Sequence, residues 1–387
     1  MTAPTASSAT GAASAPVNLL YTDVEDDLRA AVRSVLAHRC PPAAVLGRIE
    51  SAEPYDPGLW RVLAAELGLA GLLVPEKLGG QGASAREAAV VLEELGAAVA
   101  PTPFLGSAVL ATSALLRCDT QEAGVAALLG RLAAGTAAAA LAVPLSMAPG
   151  DPFPGGVRAD ADGRLTGTAT SVADAFAADV LVVPAVGPEG PGLYEVAASA
   201  AVIGRFGALD LTRPPVDVRF EAAAGRRLAA ADPVAALDSA LLTGAGLLAS
   251  EQLGVAQWCL DETVRYLGER RQFGRVVGSF QALKHRLADL WLEVVSARAA
   301  ARAAADAVAG GSPDAAVAVR VAQAYVSGVA VRAAEEAVQL HGGIGMTWEH
   351  PLHLYLKRAK ADAIALGTPG RHRAALAGLV DLAPAQV

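Results

Sequence analysis

The chain is poor in cysteine, in aromatic side chains and in charge. Its three cysteines, Cys40, Cys118 and Cys259, stand far apart, with no CxxC or metal-ligand spacing. A disulfide scaffold and a cysteine-built zinc module are excluded, and no metal is expected. The thiols read as buried and free, in a reducing compartment. Aromatic residues are only 4% and charged residues 18% of the 387 positions. Positive charge is in deficit: 31 Lys and Arg against 39 Asp and Glu leave a net −8. That balance argues against nucleic acid as the main partner. Long apolar runs are also missing. None reaches the ~18 residues of a membrane-spanning helix without a charge, glycine or proline. No membrane segment is therefore expected. Residues 1–16, MTAPTASSATGAASAP, lack the basic start and apolar centre of a secretion signal. A disordered tail over 1–20 and a cytoplasmic protein are the resulting expectations.

What is present is a core. Hydrophobic residues are 53% of the chain, much of that alanine, a strong helix former. The length suffices for two or three domains with buried interiors. Thr22 and Asp23 open a helical run with Leu28, Val32 and Leu36 on one stripe. Trp60, Leu63 and Leu67 mark another helix, ending at Gly68. Residues 84–98, 105–117 and 122–135 read as further helices, the first with Ser84 and Glu87 at capping-box spacing.

The pattern changes near Ala140. Short segments at 140–147, 164–170, 179–185, 192–197, 200–205 and 216–220, several rich in valine and leucine, are punctuated by Pro149-Gly150-Asp151-Pro152 and Asp162-Gly163. These predict a small antiparallel β domain. Helix returns at Pro233, with helices expected over 234–270, 279–308, 313–340, 350–364 and 370–381. The alanine-rich stretch 297–309 suggests close helix–helix packing. The expected class is α+β in three parts: an N-terminal helical domain (21–139), a middle β domain (140–231) and a C-terminal helical bundle (232–387).

The organising stretch is 258–292, where two amphipathic helical runs meet at a break from Gln272 to Ser279. Cys259, Val264 and Leu267 are taken as the apolar positions of the first run, and Leu283, Leu287, Leu290 and Trp291 as a core-facing stripe of the second. Arg270 and Arg271 precede the break. An arginine fork beside a free helix end suits a phosphate oxygen, and equally suits a solvated helix C-terminus.

The wording of this stretch, RYLGERRQFGRVVGSFQALKHRLADL, resembles the signature of the acyl-CoA dehydrogenase family. Gln339-Leu340-His341-Gly342-Gly343-Ile344-Gly345 with Pro351, and residues 59–96, carry the same resemblance in the same order. The resemblance implies the helical, β, helical fold and an FAD cofactor shared between subunits. It assigns FAD contacts to Arg270, Phe273 and Gln281, and to Gln339, Leu340, Gly342, Gly343 and Gly345. It implies an acyl-CoA substrate and a homo-oligomer, or a hetero-oligomer with a paralogous acyl-CoA dehydrogenase. An electron-accepting flavoprotein is a further partner it allows.

Two parts depart from the family pattern. On the flavin-ring side the usual tryptophan position holds Ser171, and the hydroxyl after it is replaced by Ala173. The two places where the family keeps its glutamate base hold Leu366 and Gly244, and the substrate arginine beside the latter is Ala245. Neither Leu366 nor Gly244 can accept a proton. Asp362, four residues before Leu366, and Glu251, seven after Gly244, are the substitutes on the same helical faces. Each could equally be structural: Asp362 paired with Lys360 or Arg358, Glu251 bridging within the bundle. Two functions follow. One is an acyl-CoA dehydrogenase that desaturates an acyl-CoA with an unusual base. The other is a catalytically incomplete subunit that completes the FAD site of a base-bearing paralogue in an α2β2 complex.

Overall fold

A computed structural model describes residues 19–382. All of the expected tail except Leu19 and Leu20 lies outside the described residues. The order of elements is helices, then strands, then helices, as the sequence predicts.

The N-terminal helices begin where their caps say. Helix α1 (Asp23–Arg39) starts on a capping box of Thr22 and Glu25, and α4 (Ala85–Ala97) on one of Ser84 and Glu87. Between them lie α2 (Pro42–Ile49) and α3 (Pro57–Arg61), the latter running on as a π-helical turn, Val62–Glu66. The segment expected as one helix at 105–117 is a π-helix, Phe104–Ala111, continued by α5 (Thr112–Leu115). It is buried throughout. Helix α6 (Ala123–Ala133) closes this part.

The sheet contains β1 (Ala139–Leu141), β2 (Val157–Ala159), β3 (Arg164–Val172), β4 (Val180–Gly187), β5 (Gly190–Ala197), β6 (Val202–Arg205) and β7 (Val216–Arg227). Strand β2 has no counterpart among the sequence expectations; three residues carry too little alternation to be read. The sheet is mixed rather than wholly antiparallel, because β4 pairs parallel with both β1 and β2. Strands β4, β2, β3, β7 and β5 pair in a closed circuit. Its interior is a separate apolar core containing Leu165, Val172, Leu181, Val183, Val218 and Phe220.

The C-terminal part is built on α7 (Pro233–Glu269), capped by Asp232 with proline in the first turn. It packs with α8 (Gln281–Ala309), α9 (Ala315–His341), α10 (Leu352–Asp362) and α11 (Pro369–Leu379). By length and hydropathy α7 could cross a bilayer, yet most of it is buried among these helices and α4. Alanines 297, 301, 304 and 305 of α8 and 330, 333, 334 and 337 of α9 are all buried, which keeps the helices close. Where α4 crosses α7 the backbones nearly touch. A Cβ on Gly254 would lie 1.9 Å from Glu93 O, and one on Gly96 would lie 2.1 Å from Glu251 O. Two expected core positions face solvent instead: Val264 is 51% and Trp291 55% exposed. The buried stripe of α8 runs through Leu290, Val294 and Ala297.

Candidate functional site: an open cleft and a closed interior

Helix α7 ends at Arg270, and the chain turns through a two-stranded hairpin, β8 (Arg271–Gln272) and β9 (Arg275–Val276). Phe273 and Gly274 form its turn with φ of +52° and +72°. Two positive φ values are what a tight two-residue hairpin requires. Helix α9 ends alongside. Its cap is Gly342, at φ 64° and ψ −139°, a conformation glycine adopts far more readily than other residues. A 3₁₀ turn, Gly342–Met346, follows.

Between these two helix ends lies a cleft of about 600 Å³, lined by Tyr266, Arg270, Gln272, Gln339, Leu340 and the Gly342–Ile344 backbone, among others. The structure thus brings together Arg270, Gln339, Leu340, Gly342 and Gly343 of the sequence-predicted set. Phe273 is 86% exposed at the hairpin tip, and Gln281 opens α8 on the surface nearby; neither lines the cleft. Gly345 is buried beneath the turn, where a Cβ would meet Val338 O at 2.6 Å. Its glycine serves the turn's packing rather than ligand access. Arg270 is exposed, and a Cβ on Gly343 would have no atom within 4 Å. An exposed guanidinium, the Gln339 amide and a stretch of backbone without side chains suit an extended anionic ligand such as a dinucleotide. They fit the FAD that the resemblance implies.

The other half of the expected chemistry is inside. Gly244 and Leu366, the two positions where the resemblance leads one to expect a base, lie against each other. A Cβ on Gly244 would be 3.2 Å from Leu366 Cδ1 and 2.3 Å from Leu110 Cδ2. Leu366 and Ala245 are fully buried and belong to the main apolar core. Leu366 is not on the helical face of Asp362. Helix α10 ends at Asp362, and Leu366 sits in the following turn at φ +53°, its N–H donating to Leu145 O.

The two substitute carboxylates are committed elsewhere. Glu251 accepts from Arg213 Nη1 at 2.9 Å and from Arg358 Nη1. Asp362 pairs with Arg213 Nη2, rather than with Lys360 or Arg358. Lys360 turns outward to Glu335, at 2.6 Å. Arg358 also donates to Asp210 and Thr212. Arg213, Arg358, Glu251, Asp362, Asp210 and Thr212 are all buried. Two guanidiniums face three carboxyls, so one proton is left to hold. Despite burial, the arginines keep Glu251 and Asp210 below the usual carboxylate range. Burial pushes Asp362 up to about 7, with the Glu251 charge adding to the rise. Arg213 has no counterpart among the sequence expectations. It is a single arginine in a loop between β6 and β7, and no periodicity marks it.

Beside this network a smaller pocket of about 280 Å³ opens, lined by Leu145, Ser146, Ser171, Phe206, Leu209, Arg213, Ile364 and others. This is where Ser171 and the 364–365 turn meet. Ser171 is held at φ +53° by its N–H to Asp217 Oδ1, 2.9 Å. Ala173 is buried.

A helical–β–helical chain with a dinucleotide-sized cleft at the ends of two bundle helices defines a class of flavoprotein fold. Residues 22–136 match the acyl-CoA dehydrogenase N-terminal domain and residues 234–378 the C-terminal domain. A curated relative, acyl-CoA dehydrogenase IpdE2 of Mycobacterium tuberculosis, is 37% identical over 342 residues, 88% of this chain and 92% of the relative. The chain belongs to the acyl-CoA dehydrogenase family. Among solved structures it resembles the Tcur3481–Tcur3483 steroid ACAD G363A variant, with TM-score 0.82, 31% identity and coverage of 93% of this chain and 98% of the other. It also resembles the ChsE4–ChsE5 complex of Mycobacterium tuberculosis, with TM-score 0.82, 29% identity and coverage of 95% and 100%.

Proposed function

We propose that this chain is the base-lacking subunit of a two-component acyl-CoA dehydrogenase. It lends Arg270, Gln339, Leu340 and the Gly342–Gly343 backbone to the FAD of a base-bearing paralogue. Bound FAD would supply the hydride acceptor for α,β-desaturation of an acyl-CoA thioester. The chain's own part is to hold and orient. Arg270 offers a forked donor to a phosphate, and the glycine turn lets backbone approach closely. Phe273 and Gln281, exposed outside the cleft, are assigned in this reading to the contact with the neighbouring subunit.

The observation that carries this reading is the packing of Gly244 against Leu110 and Leu366. The space for a base is filled by apolar side chains, not merely vacated by a glutamate. Both solved relatives named above are pairs of differently named chains, which agrees with a two-component enzyme. The raised Asp362 supports a second reading, in which it serves as the chain's own base. Its complete burial and its arginine partner weigh against that role.

The test is co-expression. Alone, the chain should desaturate acyl-CoAs poorly, since a general base typically contributes ~10²–10⁴ in rate. With a paralogue that keeps the glutamate, activity should appear with one flavin per pair of chains. Robust turnover by the purified chain alone would refute the proposal. Asp362→Asn and Glu251→Gln would then identify the base.

A further inference from the structure

We infer that Glu262, His341 and His350 form a binding site for a divalent transition-metal cation, with zinc(II) as the reference ion. Glu262 lies near the end of α7, His341 is the last residue of α9, and His350 lies just before α10. One ligand atom from each falls within 4.8 Å of the other two. No such group follows from cysteine spacing, and the three residues are scattered along the sequence.

His341 is the fixed member. It is 3% exposed, and its ring stacks on Tyr266 with centroids 4.3 Å apart. Nδ1 lies 2.7 Å from Ala337 O, and a carbonyl only accepts, so Nδ1 carries the proton. Nε2 then presents a lone pair, and it is buried without any hydrogen-bond partner. A protonated Nδ1 anchored on a backbone carbonyl, with a bare Nε2, is how metal-binding imidazoles are usually held.

The other two can give. Glu262 accepts both its hydrogen bonds from Arg265, at 2.8 and 2.6 Å. A carboxylate has about four lone-pair sites, and Arg265 has a second partner in Glu269 at 2.7 Å. His350 accepts from the Leu352 amide at 3.3 Å, a long contact. Ligation through Nε2 would move the ring proton to Nδ1 and end that contact; ligation through Nδ1 would displace it. Its ring is tilted 58° to that of His341, with centroids 4.9 Å apart. Tetrahedral bonds of about 2.0–2.1 Å place donor atoms roughly 3.3 Å apart. Small rotations of the half-buried Glu262 and His350 would close the remainder. Two imidazoles and one carboxylate with a fourth position for water suit zinc; magnesium and calcium prefer oxygen throughout. The cation would tie α7, α9 and the start of α10 together next to the Gly342–Met346 turn. His341 also lines the cleft, and the inference does not rest on the cleft's holding FAD.

The experiment uses the full chain without a histidine tag, stripped with EDTA and dialysed against zinc, then cobalt. One ion per chain should bind, and cobalt should give a visible ligand-field band. His350→Ala and Glu262→Gln should each weaken binding by at least about a hundredfold. His353→Ala, whose ring stacks on Trp348 outside the cluster, should bind as the parent does. Absence of saturable binding would overturn the inference. So would parental affinity in a folded His350→Ala/Glu262→Gln double variant, with folding checked by circular dichroism.

Discussion

The cleft at Arg270 and the interior at Gly244 sit at opposite ends of α7's role. At the cleft, a guanidinium, an amide and a bare glycine turn face outward. In the interior the charges are paired: Arg213 and Arg358 are bonded to Glu251, Asp210 and Asp362, with only Asp362 Oδ2 among their oxygens left without a hydrogen-bond partner, and Leu110 and Leu366 pack at Gly244. A site that must receive a ligand keeps unpaired groups and pays for them by exposure to water. A region that only has to hold shape pairs them and excludes water. The cleft at Arg270 meets the first condition and the interior around Gly244 meets the second.

The largest test of that contrast is Gly244→Glu. Its Cβ would start 2.3 Å from Leu110 Cδ2, and its carboxyl would be buried without a partner. We expect a loss of at least about 4 kcal/mol in stability and no gain of dehydrogenase activity. A soluble, active variant would show that the interior is a pocket after all. Next comes Arg213→Ala, which leaves Asp362 and half of Glu251 unpaired in the core. Removing one partner of a buried ion pair costs about 3–5 kcal/mol. Urea unfolding should show it, and an unchanged midpoint would mean the network carries little of the fold.

Asp362→Asn gives a smaller effect, visible as a pH dependence. In the unfolded chain this carboxyl loses its proton near pH 4, whereas in the folded chain it holds it to about 7. Between those values the folded state binds more protons, so the residue's contribution to stability falls as pH rises. The amide removes the titration. The variant's stability relative to the parent should therefore climb from pH 4 to 7 by roughly 3 kcal/mol, at ~1.4 kcal/mol per pKa unit, and level off above pH 7. A flat difference in thermal melts across that range would mean Asp362 is ionised throughout.

Much of the fold was legible because its signals are local. Thr22 with Glu25 and Ser84 with Glu87 cap helices by chemistry that spans four residues. Asp232-Pro233 starts α7 in the same way. That Leu366 and Gly244 cannot accept a proton was also legible, since neither leucine nor glycine titrates. That Leu110 and Leu366 both pack at Gly244 was not, because the three come from distant elements. Arg213 was missed for the same reason: its role exists only once the β6–β7 loop meets α7 and α10. Val264 and Trp291 were misplaced because periodicity gives an apolar stripe without saying which neighbour it faces. Their exposure on α7 and α8 leaves them on the outer side of the bundle. In the cleft, the Arg270 and Gln339–Gly343 pieces could be read from wording, but their separation from Gln281 and Phe273 could not.

The smallest effects on the fold should come from the cleft itself, and they sharpen the contrast most. Arg270 is exposed, so Arg270→Ala should leave unfolding within about 0.5 kcal/mol of the parent. If Arg270 holds a phosphate, one charge-assisted contact of ~1.5–3 kcal/mol is lost, and flavin affinity in the co-expressed complex falls about ten- to a hundredfold. Gly343→Ala is gentler still. Its φ is not in the left-handed range and its Cβ would meet nothing within 4 Å, so the isolated chain should not register the change. An added methyl matters only if something else fills that space. In the assembled complex a bound dinucleotide lying on the turn would be pushed away, with affinity lower by roughly fivefold, about 1 kcal/mol. Fluorescence of released flavin after dialysis measures both variants in one assay. Full retention in Gly343→Ala together with loss in Arg270→Ala would place the ligand on the arginine but away from the turn. Full retention in both would remove the cleft from the cofactor site.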